Sequence, residues 1–403
     1  MKILVINAGS SSVKFQVFNM PSEKPVCAGI AERIGSEASS ISCKIYADGS
    51  EKFCWAALSE NNLPIPDHGA AFQQILAILI DPRNGIIQHP DEIAVVGHRV
   101  VHGGEDFSEA ALITPEVKQK IKALFSLAPL HNPVNYQCIE AAEKSFAQAR
   151  QVAVFDTAFH QTMPERAFRY AIPNSYYQQE DIRAYGFHGI SHQYVTQKAR
   201  EILNQPDAKI ISVHLGNGCS ITAVEGGKSL DTSMGFGPLS GLVMGTRSGD
   251  MDPSIIFYLM NKLGLSAEQV NAMLNQQSGL LGLCGFSDMR DVQKAIQQGN
   301  KEAAFACELY AYRVRKYMGA YAAVLNGLDA LIFTAGVGEN APYIRELICS
   351  NLSFLQIFLD QDRNTLPSQE IREINKVGAA VKILVIPTNE ELEIARQCVE
   401  MDK

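Results

Sequence analysis

The chain has 403 residues, 46% of them hydrophobic and 19% charged, with a net charge of −8 and a pI near 5.7. That length favours two domains over one. The acidic balance excludes the concentrated basic surface that nucleic acid or an anionic membrane needs, but not a small anionic substrate, because a few local arginines override the global sign.

The nine cysteines (27, 43, 54, 138, 219, 284, 307, 349 and 398) are scattered and include no C-x-x-C pair. We read them as reduced, mostly structural thiols of a cytoplasmic protein. The first apolar run is too short for a signal peptide, and no stretch approaches the ~20 apolar residues of a membrane span.

In chain order, "ILVI" from Ile3 to Ile6 reads as a buried strand. The turn "NAGSSS" follows, and then Val13, Phe15 and Val17 alternate with Lys14 and Gln16, as in the second arm of a hairpin. Residues 68–83 have helical periodicity. "IAVVGHRVVHGG" (93–104) is a strand running into a glycine turn. Thr114 and Pro115 read as the N-cap and first turn of a helix, which ends in the irregular "APLHNP". "NYQCIEAAEKSFAQ" is a further helix. "QVAVFDTAFH" (151–160) is a buried strand delivering Asp156 at its C-terminal end.

From Lys209 the opening pattern returns: an apolar strand (Ile210 to Val213), a Gly/Asn/Ser turn (Gly216 to Ser220) and an alternating strand with Ile221 and Ala223. We read an internal duplication, the alternative being two hairpins that merely look alike. Helices follow in "PSIIFYLMNKLG", in "SAEQVNAMLNQQ" and from about Asn300 to Leu325. "LDALIFTAGVGENAPYIRELI" then reads as strand, glycine loop and helix. "VKILVIPTNEELEIARQCV" reads as strand, turn and helix, capped by Thr388 or Asn389.

Three glycine-rich turns (Gly9–Ser12, Gly216–Ser220 and Gly336–Asn340) therefore follow apolar strands. Glycine admits close approach of a ligand, and successive N–H groups and hydroxyls form an anion-binding concavity. Any one of these is more often a structural turn; three together point to nucleotide phosphates. "EGGKS" (225–229) fails as a P-loop, because Thr222 stands where the first glycine is required. "GVGENA" fits G-x-G-x-x-A, but it comes late in the chain and lacks the later strand-end acid of a dinucleotide site.

Arg99 in "GHRVVHGG" and Arg247 in "MGTRSGD" stand among glycines in expected loops, where a planar guanidinium suits phosphate or carboxylate. His188 and His192 are four apart, but without the acid of a zinc helix motif an imidazole donating to phosphate fits better. His98, His102 and His192 are expected to be packed and hydrogen-bonded. Asp156 and Glu390 are carboxylates at strand ends, enough for magnesium, which keeps most of its waters. Glu391 is read as complementing the helix dipole. Ser10–Ser12 and Lys14 are read as the phosphate-side floor, with Asn7 its main functional residue.

Taken in order, "NAGSSSVKF", "GHRVVHGG", "APLHNP", "VFDTAFHQTMP", "YGFHGISH", "HLGNGCS", "DTSMG", "MGTRSGDMDP", "FTAGVGEN" and "PTNEE" span nearly the whole chain. Together they resemble the acetate kinase family, short-chain carboxylate kinases of the acetate and sugar kinase/Hsp70/actin superfamily. The resemblance implies an α/β fold of two duplicated ribonuclease-H-like (actin-like ATPase) domains with a central cleft. The N-terminal domain would be 1–155 plus the returning C-terminal helix, 388–403, and the C-terminal nucleotide-binding domain 156–387.

It implies reversible, in-line phosphoryl transfer from ATP to acetate, giving acetyl phosphate and ADP. Magnesium would be the metal, with manganese as a substitute, held by Asn7 and Glu390. Asp156, Arg99, Arg247, His188 and His131 would be catalytic, with Arg99 also binding acetate. Val101, Leu130, Phe187 and Pro238 would enclose its methyl group. Ser12, Lys14, His214, Leu215, Gly216, Asn217, Gly218, Asp288, Met289, Arg290, Gly336, Val337, Gly338, Glu339 and Asn340 would bind the nucleotide. The resemblance also implies a cytoplasmic homodimer with no nucleic-acid or membrane partner. Departures from the family pattern occur at Ile190, Phe236, Gly237 and Ser240, near the acyl pocket. The rivals are a propionate kinase of the same family and a non-catalytic actin-like nucleotide-binding protein.

Overall fold

The computed structural model describes residues 1–9, 11–47, 50–54, 64–367 and 370–401. Ser10, named above with the phosphate-side turn, lies outside them. The chain divides into two compact units, Met1–Ala158 with Asn389–Lys403, and Phe159–Thr388.

The first unit is built on an eight-stranded sheet. In chain order the strands are β1 Lys2–Ala8, β2 Ser12–Asn19, β3 Lys24–Glu32, β4 Ser40–Ala47, β5 Ser50–Phe53, β6 Ile93–Val100, β7 Ala111–Leu112 and β8 Arg150–Phe155. Their spatial order is β5-β4-β3-β2-β1-β6-β8-β7. β1 and β2 form the expected hairpin, pairing Ile6 with Phe15 and Asn7 with Lys14. β1, β6 and β8 run parallel.

The helices His68–Ile80 and Asn132–Ser145 supply apolar residues to one core, which contains Leu4, Ile6, Phe15, Phe72, Ile75, Leu79, Cys138 and Phe146. The helix Glu390–Glu400 packs on β1 and β6. Its close approach needs Gly97, where a Cβ would lie 2.7 Å from Cys398 Sγ and 2.8 Å from Ile394.

The second unit has β9 Lys209–Leu215, β10 Cys219–Glu225, β11 Lys228–Thr232, β12 Ala330–Thr334, β13 Arg372–Glu373 and β14 Lys382–Val385. Their order is β11-β10-β9-β12-β14-β13, with β9, β12 and β14 parallel. The central order and directions β11-β10-β9-β12-β14 repeat those of β3-β2-β1-β6-β8. This is the duplicated ribonuclease-H-like fold, and it decides between true repetition and accidental likeness. The helix Lys301–Leu325 covers β9 and β10, its first turn capped by the Asn300 side chain on the Ala303 N–H.

Three local expectations are corrected. A disulfide joins Cys43 and Cys54, so the cysteines are not all reduced; the Cys54 N–H donates to the Cys43 carbonyl, which continues the β4–β5 pairing by one residue and sets the two side by side. Arg99 is not in a loop, because β6 continues to Val100 to complete its pairing with β8. Residues 335–340 are not a glycine loop but a short helix starting directly at the end of β12.

Candidate active site

In the first unit the site grows from the carboxyl ends of β1, β6 and β8, where parallel strands expose side chains and unpaired backbone together. β1 delivers Asn7, β6 delivers Arg99, and Asp156 follows β8 with its N–H donating to the Val100 carbonyl at 2.9 Å. Arg99 donates to Asp156 at 2.8 Å and to Asn7 Oδ1 at 3.2 Å, and its Nε lies 3.9 Å from Glu390. Asn7 Nδ2 in turn donates to Glu391 at 3.3 Å. Glu390 and Glu391 stand in the first turn of the C-terminal helix, which Asn389 caps.

Three carboxylates thus surround one guanidinium. Burial, opposed by Arg99 and reinforced by Asp156 and Glu391, pushes the Glu390 carboxyl up to about 7. Burial disfavours the charged form of Arg99, yet Asp156 and Glu390 outweigh it and hold the guanidinium firmly protonated. This excess of negative oxygen donors fits a hard divalent cation. Among the described residues no three His, Cys, Asp or Glu side chains already close on one metal-sized point.

Two asparagines that the sequence reading missed hold this region in place. Asn132 exchanges two 3.0 Å hydrogen bonds with the His102 backbone. Asn135 accepts from the Val101 N–H and donates to the Ala8 carbonyl. The available signal was a pair of asparagines three apart in "HNPVN", both facing an apolar interior. His131 precedes that helix and is half-buried. Val101 is buried, whereas Leu130 is 65% exposed. Lys14 is exposed beside Asn7 in the hairpin register, and Ser12 is half-buried.

The second unit repeats the architecture with different chemistry. The turn Gly216–Gly218 closes with the Gly216 N–H donating to the Gly218 carbonyl. A Cβ at Gly218 would lie 3.4 Å from His188 Nε2 and 3.6 Å from Arg247 Nη1, so the ring, the guanidinium and the turn face a common point. His188 is in the left-handed backbone region, φ 59°, at the start of the helix Gly189–Leu203. Its ring stacks on His214 with centroids 4.1 Å apart.

Arg247 donates to the Pro238 carbonyl at 3.1 Å and approaches Met244 Sδ. Among the described residues it forms no ion pair, and burial lowers its pKa from the ordinary guanidinium value. Phe187 is buried, and its carbonyl meets His160 Nε2.

A cavity of about 480 Å³ opens beside this turn. It brings together Gly216, Asn217, Asp288, Met289, Arg290, Gly336, Val337 and Asn340, all expected from the sequence. Ser287, Gln293 and Ala341 also line it and were missed, though each adjoins or lies one helical turn from an expected residue. His214, Leu215, Gly218, Gly338 and Glu339 do not line this cavity. Leu215 is fully buried, Gly338 packs on Phe333, and Glu339 accepts from the Thr388 N–H. Arg290 is exposed and folds back on Asp288, which holds that carboxyl down at about 2.

The sequence profile of the Acetokinase family matches residues 2–396. The acetate kinase of Flavobacterium johnsoniae is 51% identical over 401 residues, covering 100% of this chain and 99% of that protein. Among solved structures, Porphyromonas gingivalis acetate kinase superposes with a TM-score of 0.91 at 43% identity, covering 100% of both chains. A propionate kinase from Francisella tularensis superposes with a TM-score of 0.90 at 44% identity, covering 98% of both.

Proposed function

The chain belongs to the acetokinase family, and from that premise we infer that it transfers a phosphoryl group reversibly between ATP and acetate, giving acetyl phosphate and ADP. It is a phosphotransferase with a carboxyl acceptor, and ATP and a divalent metal are its co-substrate and cofactor. We assign magnesium as that metal, with manganese as its substitute. Asn7 and Glu390 would hold it beside Asp156, and it would offset charge on the phosphate oxygens. We take the two units as the two domains.

Acetate is already ionised at neutral pH, so it needs positioning and charge cancellation but no general base. A carboxylate oxygen forms the bond to the γ-phosphorus while the bond from that phosphorus to the β,γ-bridging oxygen breaks. The electron pair leaves with ADP, and no proton is transferred. We assign Arg99 to the acetate carboxylate and Arg247 with His188 to the phosphoryl oxygens, with His131 close to the reacting group. The nucleotide would occupy the cavity between the Gly216 turn and the helix 335–340. Ser12 and Lys14 would form the phosphate-side floor, and His214, Leu215, Gly218, Gly338 and Glu339 would support the nucleotide.

The observation that carries this reading is the convergence at Gly218 of an ion-pair-free guanidinium and an imidazole, beside a nucleotide-sized cavity. Such preorganised donors stabilise charge that a loose phosphoryl transition state spreads over its oxygens. Acyl hydroxamate formation from ATP, acetate and hydroxylamine tests it. Product from the intact protein and near-background product from Arg247→Ala are expected, whereas normal turnover in that variant overturns the assignment.

The likeness to a propionate kinase favours a second reading for the acceptor. Val101, buried in the first unit, would limit the acyl chain. Val101→Ala should raise the propionate-to-acetate ratio of kcat/KM by about tenfold, the usual worth of one methylene. An unchanged ratio would overturn Val101 as the residue that sets acyl length and shift that role to the departures at Ile190, Phe236, Gly237 and Ser240.

We also propose a homodimer working in the cytoplasm. The helix Ser254–Leu263 supports the dimer: none of its residues is buried, and Ile255, Phe257, Tyr258 and Leu263 are exposed. Among the described residues no helix is long and apolar enough to cross a membrane.

A further inference from the structure

Behind His188 lies a buried chain of hydrogen bonds that the proposed chemistry does not use. Ser212 Oγ is 2.9 Å from His192 Nδ1; His192 Nε2 is 2.7 Å from Ser220 Oγ; Ser220 Oγ is 2.9 Å from His188 Nδ1. Ser212, His192 and Ser220 are all fully buried. Ser212 and Ser220 sit on β9 and β10, and His192 on the helix Gly189–Leu203.

The protons in this chain can be counted. A hydroxyl has one proton to donate, and a neutral imidazole carries one proton on one of its two ring nitrogens. Burial, with His160 and His214 nearby, keeps His192 neutral by moving its pKa well below the ordinary value. Among the described residues, the Ser212 hydroxyl has a single partner, His192 Nδ1. The Ser212 proton therefore goes to Nδ1, because otherwise a buried donor stays unsatisfied at the full cost of its desolvation.

His192 then carries its own proton on Nε2 and donates it to Ser220. Ser220, already an acceptor, gives its proton to His188 Nδ1. His188 is left with its proton on Nε2, the nitrogen that faces Gly218 and Arg247.

We propose that Ser212, His192 and Ser220 are positioning residues that fix the tautomer of His188, so that its Nε2–H is always the group presented to the phosphoryl oxygens. The link to phosphoryl transfer rests on the function proposed above; the tautomer itself does not. The opposite direction of the chain would present a bare lone pair to an anion beside Arg247 and leave the Ser212 proton without an acceptor. The His214 ring, whose Nδ1 meets Ser191 at 2.9 Å, stacks on the His188 ring.

The test is long-range nitrogen–proton correlation on the full-length protein with 15N-labelled histidine, with signals assigned by their loss in His188→Gln and His192→Gln. Nε2–H tautomers are expected for both rings. Ser212→Ala should move His192 towards a mixture of tautomers and His188 with it. It should lower kcat by about two- to tenfold, the rate equivalent of one hydrogen bond, with KM for ATP and acetate changed less than about twofold. Ser220→Ala should have the larger effect on kcat, and Ser220→Thr, which restores the hydroxyl, should recover most of it.

An Nδ1–H tautomer at His188 in the unaltered protein overturns the proposal, whether or not the variants fold. So does an unchanged His188 tautomer in both alanine variants. Correct tautomers in a protein that forms no acyl phosphate would instead overturn the function assigned above and leave the relay standing.

Discussion

The two units share a strand order, yet the surroundings of their two arginines are opposite: Arg99 stands on β6 of the first, and Arg247 in the segment between β11 and the helix Ser254–Leu263 of the second. In the first unit a guanidinium is enclosed by Asp156, Glu390 and Asn7. In the second it meets a carbonyl and a thioether, faces the same point at Gly218 as the His188 ring, and forms no ion pair among the described residues. One copy of the fold surrounds its guanidinium with carboxylates, and the other leaves its guanidinium without an ion pair among the described residues. One strand order thus carries opposite local chemistry in its two copies, because the fold does not dictate the side chains set upon it.

The sharpest way to break this contrast is to remove each arginine. Arg99→Ala leaves buried carboxylates unpaired, so it should abolish turnover and also destabilise the protein by about 3–5 kcal/mol, read from urea unfolding. Arg247→Ala should lower kcat by about 10²–10³, as for loss of a preorganised donor, while stability falls by only about 1 kcal/mol. Equal losses of stability in the two variants would contradict the difference in their surroundings.

A smaller effect is expected at Gly245, where a Cβ would lie 2.9 Å from the Ser287 carbonyl and collide with Asn217. Gly245→Ala should displace Asn217 from the cavity and raise KM for ATP by about tenfold, with kcat little changed; steady-state kinetics would show it. Smallest is a difference in pH response. Burial drops the His98 imidazole to about 4, opposed by its bond to Gln151, so its stabilising contribution is complete above pH 6.5 and is lost as pH falls through 4. Asp231 behaves in reverse: burial raises it to about 6, so its ionised form is penalised above that pH and the penalty disappears on acidification. Asp231→Asn should therefore raise the melting midpoint by ~2–4 °C at pH 8 and leave it unchanged at pH 4.

Much of the framework could be read from the chain because its signals are local. Alternation in "SVKFQVF", the cap at Thr114, the choice of Thr388 or Asn389 for the last one, and Asp156 after an apolar run each specify an element within a few residues. What escaped depends on partners far apart. Arg99 is a strand residue because β8, some fifty positions on, extends the pairing. The helix 335–340 begins without a turn because β12 feeds straight into it, which the glycines there concealed. Cys43 and Cys54 meet through strand pairing that no spacing rule describes. The hydrogen-bond chain behind His188 joins two strands and a helix, so none of its members stands out in its own segment.

The helix Glu390–Glu400 has a bearing on how the polypeptide is made. It belongs to the first unit and covers Gly97 on β6, yet a ribosome emits it only after all 230 residues of the second unit. At the usual 5–20 residues per second, that interval is on the order of 10–50 s. Throughout it the nascent N-terminal half has one sheet face bare around Val5 and Gly97 and lacks Glu390 altogether. Its maturation therefore waits until that helix has emerged, and chaperones have their longest opportunity at the half that is synthesised first.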